Sequence, residues 1–164
     1  PESFYGKDNN LYQVEWIINC PDNDVLGLRN SKKVLEKMFN KKAITLTEHI
    51  SFLREYNFSK RLDFMVKNHN KEEYLGGVNI VLKDNRFEIG KYIGNENYHG
   101  KGIAKKMTIN MINFFRKNYP LIKDIYSITL KNNFVNIILN KKIGFEIVEE
   151  MNNEFILMKM KLSN

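Results

Sequence analysis

Cysteine, proline and glycine are scarce in this sequence. A single cysteine, Cys20, occurs in 164 residues, which excludes an internal disulfide framework and a cysteine-based zinc site. With three prolines and nine glycines there is no proline-rich or glycine-serine linker, so we expect one domain over residues 1–164. No apolar run of about 18 residues occurs, which excludes a transmembrane helix. The N-terminus lacks a basic-then-apolar signal pattern, so we expect a cytoplasmic protein with no membrane partner.

Acidic residues are also outnumbered. The chain has 26 basic and 19 acidic residues, for a formal net charge of +7, and this balance favours anionic partners such as phosphates, nucleotides or nucleic acid. However, 21 Lys, 23 Asn and 18 Ile dominate the composition, as codons from an A/T-rich genome would produce, so charge alone identifies no function. The lysines are scattered, and neither a dense basic helix nor an aromatic–glycine RNA-binding strand occurs. We therefore expect no nucleic-acid partner.

The pattern of apolar residues predicts an α/β protein. Alternating, β-branched and aromatic segments predict strands over residues 11–18, 62–66, 76–82, 87–93, 125–130, 145–148 and 155–160. Helical spacing predicts helices over 25–39 (with a break near Asn30-Ser31), 47–53 (capped by Thr45 or Thr47), 103–119 and 133–142. From this order we expect a mixed, mostly antiparallel central sheet of about seven strands flanked by four helices, with one clear crossover through the 103–119 helix.

A glycine-rich loop precedes the longest predicted helix. It reads Tyr98-His99-Gly100-Lys101-Gly102-Ile103-Ala104. Glycines let the backbone approach a ligand closely, and the amides at a helix start form an anion site together with the helix dipole. The loop lacks both the Lys-Ser/Thr end of a phosphate loop and the three-glycine dinucleotide fingerprint. Taken alone, the Gly-x-Gly pattern is equally typical of a tight turn.

Two motifs in order make the pattern specific. His99-x-x-Gly102-x-Ala104 opens a helix after the strand Phe87-Glu88-Ile89-Gly90, and it resembles the acyl-CoA loop of the GNAT superfamily of N-acetyltransferases. Further along, Lys131–Phe134 followed by Lys142–Glu146 resembles the closing motif of that superfamily, an asparagine after a strand and then a helix ending in Gly-Phe. The resemblance covers nearly the whole chain. It implies a GNAT-like acyl-CoA N-acyltransferase domain with acetyl-CoA as co-substrate and no metal.

The resemblance also implies a mechanism, direct attack of a neutral amine on the acetyl thioester in a ternary complex. In such folds the fourth and fifth strands, here 87–93 and 125–130, splay apart and pantetheine lies between them. Backbone groups near Tyr92 and Ile93 would polarise the thioester carbonyl, and amides from Gly100 to Ala104 would hold the pyrophosphate. The implied cofactor-binding residues are Tyr92, Ile93, His99, Gly100, Lys101, Gly102, Ile103, Ala104, Asn133 and Asn140.

Two positions are implied in proton transfer. Glu88 lies where several members have a carboxylate that accepts the proton of the amine through water; the alternative is an outward-facing strand residue. Asn140 occupies the position at which the family usually has a tyrosine that protonates the departing CoA thiolate. Since an amide has no titratable proton, three outcomes are open. In the first, water or another hydroxyl (Tyr126 or Tyr98) protonates the CoA thiolate. In the second, the thiolate leaves without being protonated. In the third, the protein is slow or inactive.

The resemblance assigns recognition of the acceptor substrate to the N-terminal half of the chain. Arg29-Asn30 and the segment 44–53 resemble the N-terminal part of two branches of the superfamily. One branch is the ribosomal-protein N-terminal acetyltransferases, and the other is the amino-sugar-nucleotide acetyltransferases of the pseudaminic acid pathway. The spacing is closer to the second, so we expect a UDP-linked amino sugar as acceptor. Arg29 would pair with the diphosphate or form a structural salt bridge. His49 would contact phosphate or sugar, or else pack between helices, and Tyr92 would line the pocket or the core.

Other functions remain open at this stage. An N-terminal or polyamine acetyltransferase would keep the same mechanism with a different amine. The asparagine at position 140 also permits a non-catalytic acyl-CoA-binding module. Many members of the superfamily are dimers, so a homodimer is possible, although no residue of the sequence requires one.

Overall fold

The computed structural model describes residues 1–162, and the last two residues of the expected domain, 163 and 164, lie outside this range. The described chain forms eight strands: β1 (Phe4–Tyr5), β2 (Leu11–Trp16), β3 (Arg61–Asn68), β4 (Glu73–Lys83), β5 (Arg86–Ile93), β6 (Asp124–Leu130), β7 (Glu146–Glu150) and β8 (Phe155–Lys161). It also forms five α-helices: α1 (Asp22–Arg29), α2 (Lys32–Glu36), α3 (Leu46–Arg54), α4 (Ile103–Asn118) and α5 (Phe134–Ile143). Two short 3-10 helices lie at Ile17–Asn19 and Glu96–Tyr98.

The expected α/β class with a mixed, mostly antiparallel sheet is confirmed, and the counts differ slightly. The additional strand is the two-residue β1, and the expected helix over 25–39 is divided into α1 and α2 at Asn30 and Ser31. Helix beyond residue 36 was a wrong prediction. The side chain of Asn30 bonds both backbone groups of Ile44, accepting from its N–H at 2.8 Å and donating to its carbonyl at 2.7 Å. These bonds fold the connecting segment back on the end of α1.

The sheet order is β1-β2-β3-β4-β5-β6-β8-β7. Every neighbouring pair is antiparallel except β5 and β6, which run parallel and are connected through α4. In the described chain these two strands are paired at one position, Glu88 opposite Tyr126. Beyond this pair the strands diverge, so the second half of β5 and the second half of β6 leave a gap in the middle of the sheet.

The two faces of the sheet are covered by different helices. On one face Met111 and Phe115 of α4 pack on Phe64, Ile89 and Ile125 in the main hydrophobic core. On the opposite face a second set of buried residues from α1 and the sheet packs with partly buried aromatic residues of α3 and β5, namely Ile17, Cys20, Val25, Met65, Phe52 and Tyr92. Helix α3 begins with a capping box, in which Thr45 and Glu48 bond each other's backbone N–H, so Thr45 rather than Thr47 is the cap.

Candidate active site

The gap between β5 and β6 is the central feature of the candidate site. Side chains alternate along β5, so Glu88 and Tyr92 point to the α1–α3 face, whereas Phe87, Ile89 and Lys91 point to the α4 face. Both faces therefore supply side chains to the gap. The open end of the gap leads to the loop that connects β5 to α4.

The loop after β5 is held by three side-chain anchors. Asn95 donates to one oxygen of Glu73 at 3.0 Å, and the hydroxyl of Tyr98 donates to the other at 2.7 Å. His99 Nε2 lies 3.0 Å from the carbonyl of Ile93 and ties the loop to the end of β5. The imidazole of His99 thus has its partner at the end of β5. These contacts fix the direction from which the backbone enters α4.

The N-terminus of α4 has no side-chain cap in the described structure. Gly102 is the N-cap residue in the left-handed region (φ +73°), and Gly100 also has a positive φ of +75°. The first amides of a helix have no partner within the helix, so those of Ile103 and Ala104 are available to an anion, which the helix dipole also favours. Lys7 adds a cation beside them, since a methyl group built on Gly102 would lie 3.0 Å from its Cε.

Glu88 lies where β5 and β6 part. Its side chain is nearly buried, with 9% of the residue exposed, and Oε2 is 3.5 Å from Nε of Arg86. Arg86 in turn covers the ring of Tyr126, its guanidinium carbon 5.4 Å from the ring centroid. Glu88 is therefore not an outward-facing strand residue. Its carboxylate lies on the α1–α3 face, at the point where β5 and β6 diverge.

The same face of the sheet has a buried polar cluster that sequence reasoning missed. Asp63 is paired with Arg61 through two bonds of 2.6 and 2.8 Å, and it also accepts from the Tyr56 hydroxyl at 2.9 Å and from Asn79 at 3.2 Å. Strand register places Asn79 opposite Gly90 of β5. These partners occupy the hydrogen-bond acceptor positions of the Asp63 carboxylate. The cluster therefore forms part of the α1–α3 face of the sheet next to Glu88.

Asn140 lies on the other face and is fully buried. Its amide nitrogen donates to the Ser127 hydroxyl of β6 at 3.2 Å, with Met158 Sδ at 3.6 Å. Its amide oxygen accepts a bond of 2.6 Å from Nζ of Lys91. Asn140 thus uses its amide within the protein, where it bridges the two strands that flank the gap. Enclosure of the Lys91 ammonium by protein lowers its pKa to about 8.

The other residues of the closing motif position α5. Asn133 is the N-cap of α5, and its side-chain oxygen accepts from the N–H of Asn136 at 3.3 Å. Asn136 donates to the Thr129 hydroxyl of β6 at 3.0 Å. Asn133 therefore fixes the start of α5, and Asn136 holds the helix against β6, in line with the Asn140–Ser127 contact one turn further along.

Arg29 and Tyr92 meet on the α1–α3 face. The Arg29 nitrogen Nη1 is buried without a hydrogen-bond partner in the described structure. Desolvation lowers the pKa of Arg29, partly opposed by the nearby Tyr92 hydroxyl, while burial raises the pKa of Tyr92. The Tyr92 hydroxyl lies 3.6 Å from Met65 Sδ. Arg29 forms no salt bridge in the described chain, which disfavours the structural alternative for this residue.

His49 has a different environment. It is 4% exposed and its Nε2 lies 3.3 Å from Oδ1 of Asp22, so it sits between α3 and α1. Its ring also stacks near Phe52 at a centroid distance of 6.2 Å. The contact with Asp22 is not a hydrogen bond, so Nε2 has no hydrogen-bond partner in the described structure, and both interpretations of His49 stay predictions.

Two cations near the candidate site, Lys91 and Lys7, were not predicted from the sequence, although the pattern around Lys91 contained a signal. Phe87, Ile89 and Ile93 alternate as the apolar face of β5, and Lys91 interrupts that face with a charge. A lysine on the core side of a strand is rarely buried without a reason. Lys7 had no comparable signal, because its proximity to Gly102 depends on how the β1–β2 turn folds over α4.

The comparisons with known proteins agree with this geometry. The family model described as "Acetyltransferase (GNAT) domain" matches residues 14–146. The chain belongs to this acetyltransferase family. A search of curated protein sequences gives no significant match, so the similarity to individual proteins comes from solved structures.

Three solved structures show how widely the fold is shared. Spermidine N-acetyltransferase from Vibrio cholerae, in complex with CoA and spermine, is 14% identical with a TM-score of 0.77, covering 92% of this chain and 95% of that one. Ribosomal-protein-S5-alanine acetyltransferase from Vibrio fischeri is 14% identical (TM-score 0.69, 93% and 94% covered). Campylobacter jejuni N-acetyltransferase PseH is 17% identical (TM-score 0.66, 93% and 99% covered). At such identities the likeness shows the fold of this GNAT acetyltransferase.

Two further properties of residues 1–162 concern metal binding and membrane insertion. Among residues 1–162, no three His, Cys, Asp or Glu side chains come together in a way that would bind a metal ion. No helix in this range combines the length and the apolar character needed to cross a membrane. Cys20 is buried, and desolvation raises the pKa of its thiol to about 12, so it is not a reactive nucleophile.

Proposed function

We propose that this acetyltransferase moves the acetyl group of acetyl-CoA to the primary amine of a UDP-linked amino sugar. The gap between β5 and β6, which opens onto the uncapped start of α4, is the observation that supports a CoA site most directly. Pantetheine would lie in the gap as an extra strand and bond the free edge of β5 near Tyr92 and Ile93. The pyrophosphate would bind the amides from Gly100 to Ala104, with Lys7 beside them.

The amine would approach from the α1–α3 face. Glu88 is the base on that face, at the apex of the gap, and would accept the proton of the amine directly or through water. The polar cluster around Asp63 borders this position. Most of the rate acceleration would come from holding amine and thioester together, an effect that reaches about 7–11 kcal/mol in favourable cases.

The choice of a nucleotide-linked acceptor rests on Arg29. A buried guanidinium nitrogen with no partner in residues 1–162 is costly unless a ligand satisfies it. A diphosphate offers the planar, charge-assisted contacts that arginine binds best. A polyamine would instead bring positive charges to Arg29, and the nearby Asp63 carboxylate is already occupied by Arg61. The electrostatics of this face therefore favour an anionic acceptor over a polycation.

A CoA-release assay with an acceptor panel tests the proposal. Acetyl-CoA is incubated with the protein and with UDP-linked amino sugars, polyamines or N-terminal peptides, and free thiol is measured. Release that depends on the UDP-linked amino sugars is the expected result. Release with peptides or polyamines alone would contradict the acceptor class but keep the acetyltransferase mechanism. Binding of acetyl-CoA by calorimetry without release with any amine would favour the non-catalytic alternative.

Arg29 gives a direct test of acceptor recognition. We expect Arg29→Met to raise KM for the amino-sugar nucleotide by about 10- to 100-fold, because a charge-assisted contact of about 1.5–3 kcal/mol is lost. The KM for acetyl-CoA should stay unchanged, since Arg29 lies on the opposite face from the α4 core. Arg54→Met is the matched control, because Arg54 is an exposed arginine on α3. Equal effects of both substitutions would reject a specific role for Arg29.

Gly102 gives a test of the CoA loop. Alanine at a φ of +73° costs about 1–2 kcal/mol, and its methyl group would press on Lys7. We expect Gly102→Ala to shift the loop backbone and weaken CoA binding at least about tenfold in calorimetry. Gly27→Ala is the control, because Gly27 is helical and has open space around it. That change should stabilise the protein by about 0.4–1 kcal/mol without altering CoA binding.

A further inference from the structure

Lys91 is an isolated cation at the edge of the candidate site. It projects from the diverging half of β5 to the α4–α5 side, where its Nζ donates to Asn140 Oδ1 at 2.6 Å. No salt bridge to Lys91 occurs within residues 1–162, and the groups around it are uncharged. Val78 pairs with it on β4, and Ser127 and Met158 contact Asn140 from β6 and β8. The buried residues of α4 are also uncharged: Ile103, Met107, Thr108, Met111, Ile112 and Phe115.

An enclosed ammonium paired only with a neutral amide opposes folding. Desolvation lowers the pKa of Lys91 from its ordinary 10.5 to about 8. A carboxylate at position 140 would have neutralised the charge, and an apolar residue at position 91 would have avoided it. The chain has neither, which indicates that the charge meets an anionic or developing anionic group only when the site is filled.

We propose that Lys91 is a catalytic residue, the acid that protonates the departing CoA sulfur. This inference rests on the proposed function, in which the thioester lies in the gap between β5 and β6. The amine nitrogen forms a bond to the acetyl carbon and gives its proton to Glu88. The C–S bond then breaks, the sulfur keeps the electron pair, and a proton moves from Lys91 Nζ to that sulfur. Before the next turnover Glu88 releases the amine proton to water and neutral Lys91 takes up a proton from water, so both groups return to their starting states.

The alternative donors are less well placed. Asn140 has no titratable proton and its amide is fully used. The hydroxyl of Tyr98 donates to Glu73 and accepts from Asn68, and desolvation together with Glu73 raises its pKa to about 12. Tyr126 is on the opposite face, beneath Arg86. A free thiol has a pKa of about 8.5, close to that of Lys91, so proton transfer between the two is nearly balanced.

The first test needs no acceptor. CoA is bound to the protein, and the ultraviolet absorbance of its thiolate is followed from about pH 6 to about pH 10, a range that brackets the ordinary thiol pKa. With Lys91 in place, the ammonium should lower the thiol pKa of bound CoA by about one unit or more. Lys91→Met should remove this shift, and Lys91→Arg should keep it because the charge remains. Lys83→Met, at an exposed lysine of β4, should behave as wild type.

The second test separates charge from proton donation. Rates are measured with the amine that gives the most CoA release in the acceptor panel. Lys91→Met should lower kcat by about 10²-fold, the low end for a general acid, with little change in either KM. Lys91→Arg should also lower kcat, because arginine does not release its proton. The fall in the wild-type rate above about pH 8, where Lys91 loses its proton, should be missing in both variants.

Several outcomes would overturn the inference. One is a thiol pKa that is the same for CoA bound to wild type and to Lys91→Met. Another is full activity of Lys91→Arg with an unchanged pH profile, which would mean that only the charge matters. A third is an acetyl group found on Lys91 by mass spectrometry after incubation with acetyl-CoA, since Lys91 would then be an acceptor. Failure of the wild-type protein to bind CoA would instead reject the proposed function, and this inference with it.

Discussion

Replacing Glu88 with glutamine is expected to lower kcat for acetyl transfer by about 10²–10⁴-fold, the usual contribution of a general base. Glutamine keeps the size of the side chain and its place where β5 and β6 part, but it does not accept a proton from the amine. Glu88 lies on the α1–α3 face, away from the start of α4, so affinity for acetyl-CoA should be unaffected. Steady-state rates of CoA release and calorimetry measure the two effects separately.

A matched control makes the Glu88 prediction specific. Glu146→Gln removes a carboxylate from the exposed strand β7, and it should leave kcat unchanged. Activity of Glu88→Gln equal to wild type would mean that Glu88 serves only as a partner of Arg86, 3.5 Å away, and that the amine loses its proton to solvent.

Lys91→Met is expected to stabilise the protein while it damages catalysis. The pKa of Lys91 falls from its ordinary 10.5 to about 8, a difference that corresponds to about 3 kcal/mol of unfavourable free energy in the folded state. Methionine leaves the oxygen of the buried Asn140 without its Lys91 donor, which offsets about 1–3 kcal/mol of this. We therefore expect the free energy of unfolding to rise by about 1 kcal/mol near pH 7, measured by urea denaturation.

The pH dependence of this stability difference follows from the direction of the pKa change. Below about pH 8 both the folded and the unfolded wild-type chains hold the Lys91 proton, so the full cost of burial is present. Between about pH 8 and the unfolded value of 10.5, the unfolded chain binds more protons, and wild type gains stability relative to Lys91→Met. The advantage of the variant should shrink across this window. An advantage that is constant with pH, or a Lys91→Met protein less stable than wild type at pH 7, would contradict the desolvated state of Lys91.

Such a change would place Lys91 among residues that trade stability for activity. Substitutions that remove a buried charge from a functional site commonly stabilise a protein at the expense of its function. Lys83→Met supplies the comparison, because an exposed lysine should contribute within about 0.5 kcal/mol. Only a contrast between positions 91 and 83 shows that the effect comes from burial and not from the lower net charge.

The sequence by itself determined the elements and their order. The four-residue recurrence of Ile103, Met107, Met111 and Phe115 defines α4 because the period of an α-helix brings these residues to one buried face. The loop from His99 to Ala104 is a local pattern, since glycines at positive φ and the start of a helix are encoded by neighbouring residues. Local patterns of this kind were therefore enough to predict the family and the mixed, mostly antiparallel sheet.

Only the tertiary structure decided which side chains meet. The single β5–β6 pair at Glu88 and Tyr126 opens the gap, and it depends on a parallel pairing of strands that are distant in sequence. Asn140 could be located by counting, but its bond to Lys91 could not, because 49 positions separate the two residues. For the same reason the sequence did not place His49 beside Asp22, 27 positions earlier in the chain. Hydrogen bonds and desolvation depend on which groups are close in space. The local pattern of a sequence does not show which distant residues come together, so these effects could not be predicted from it.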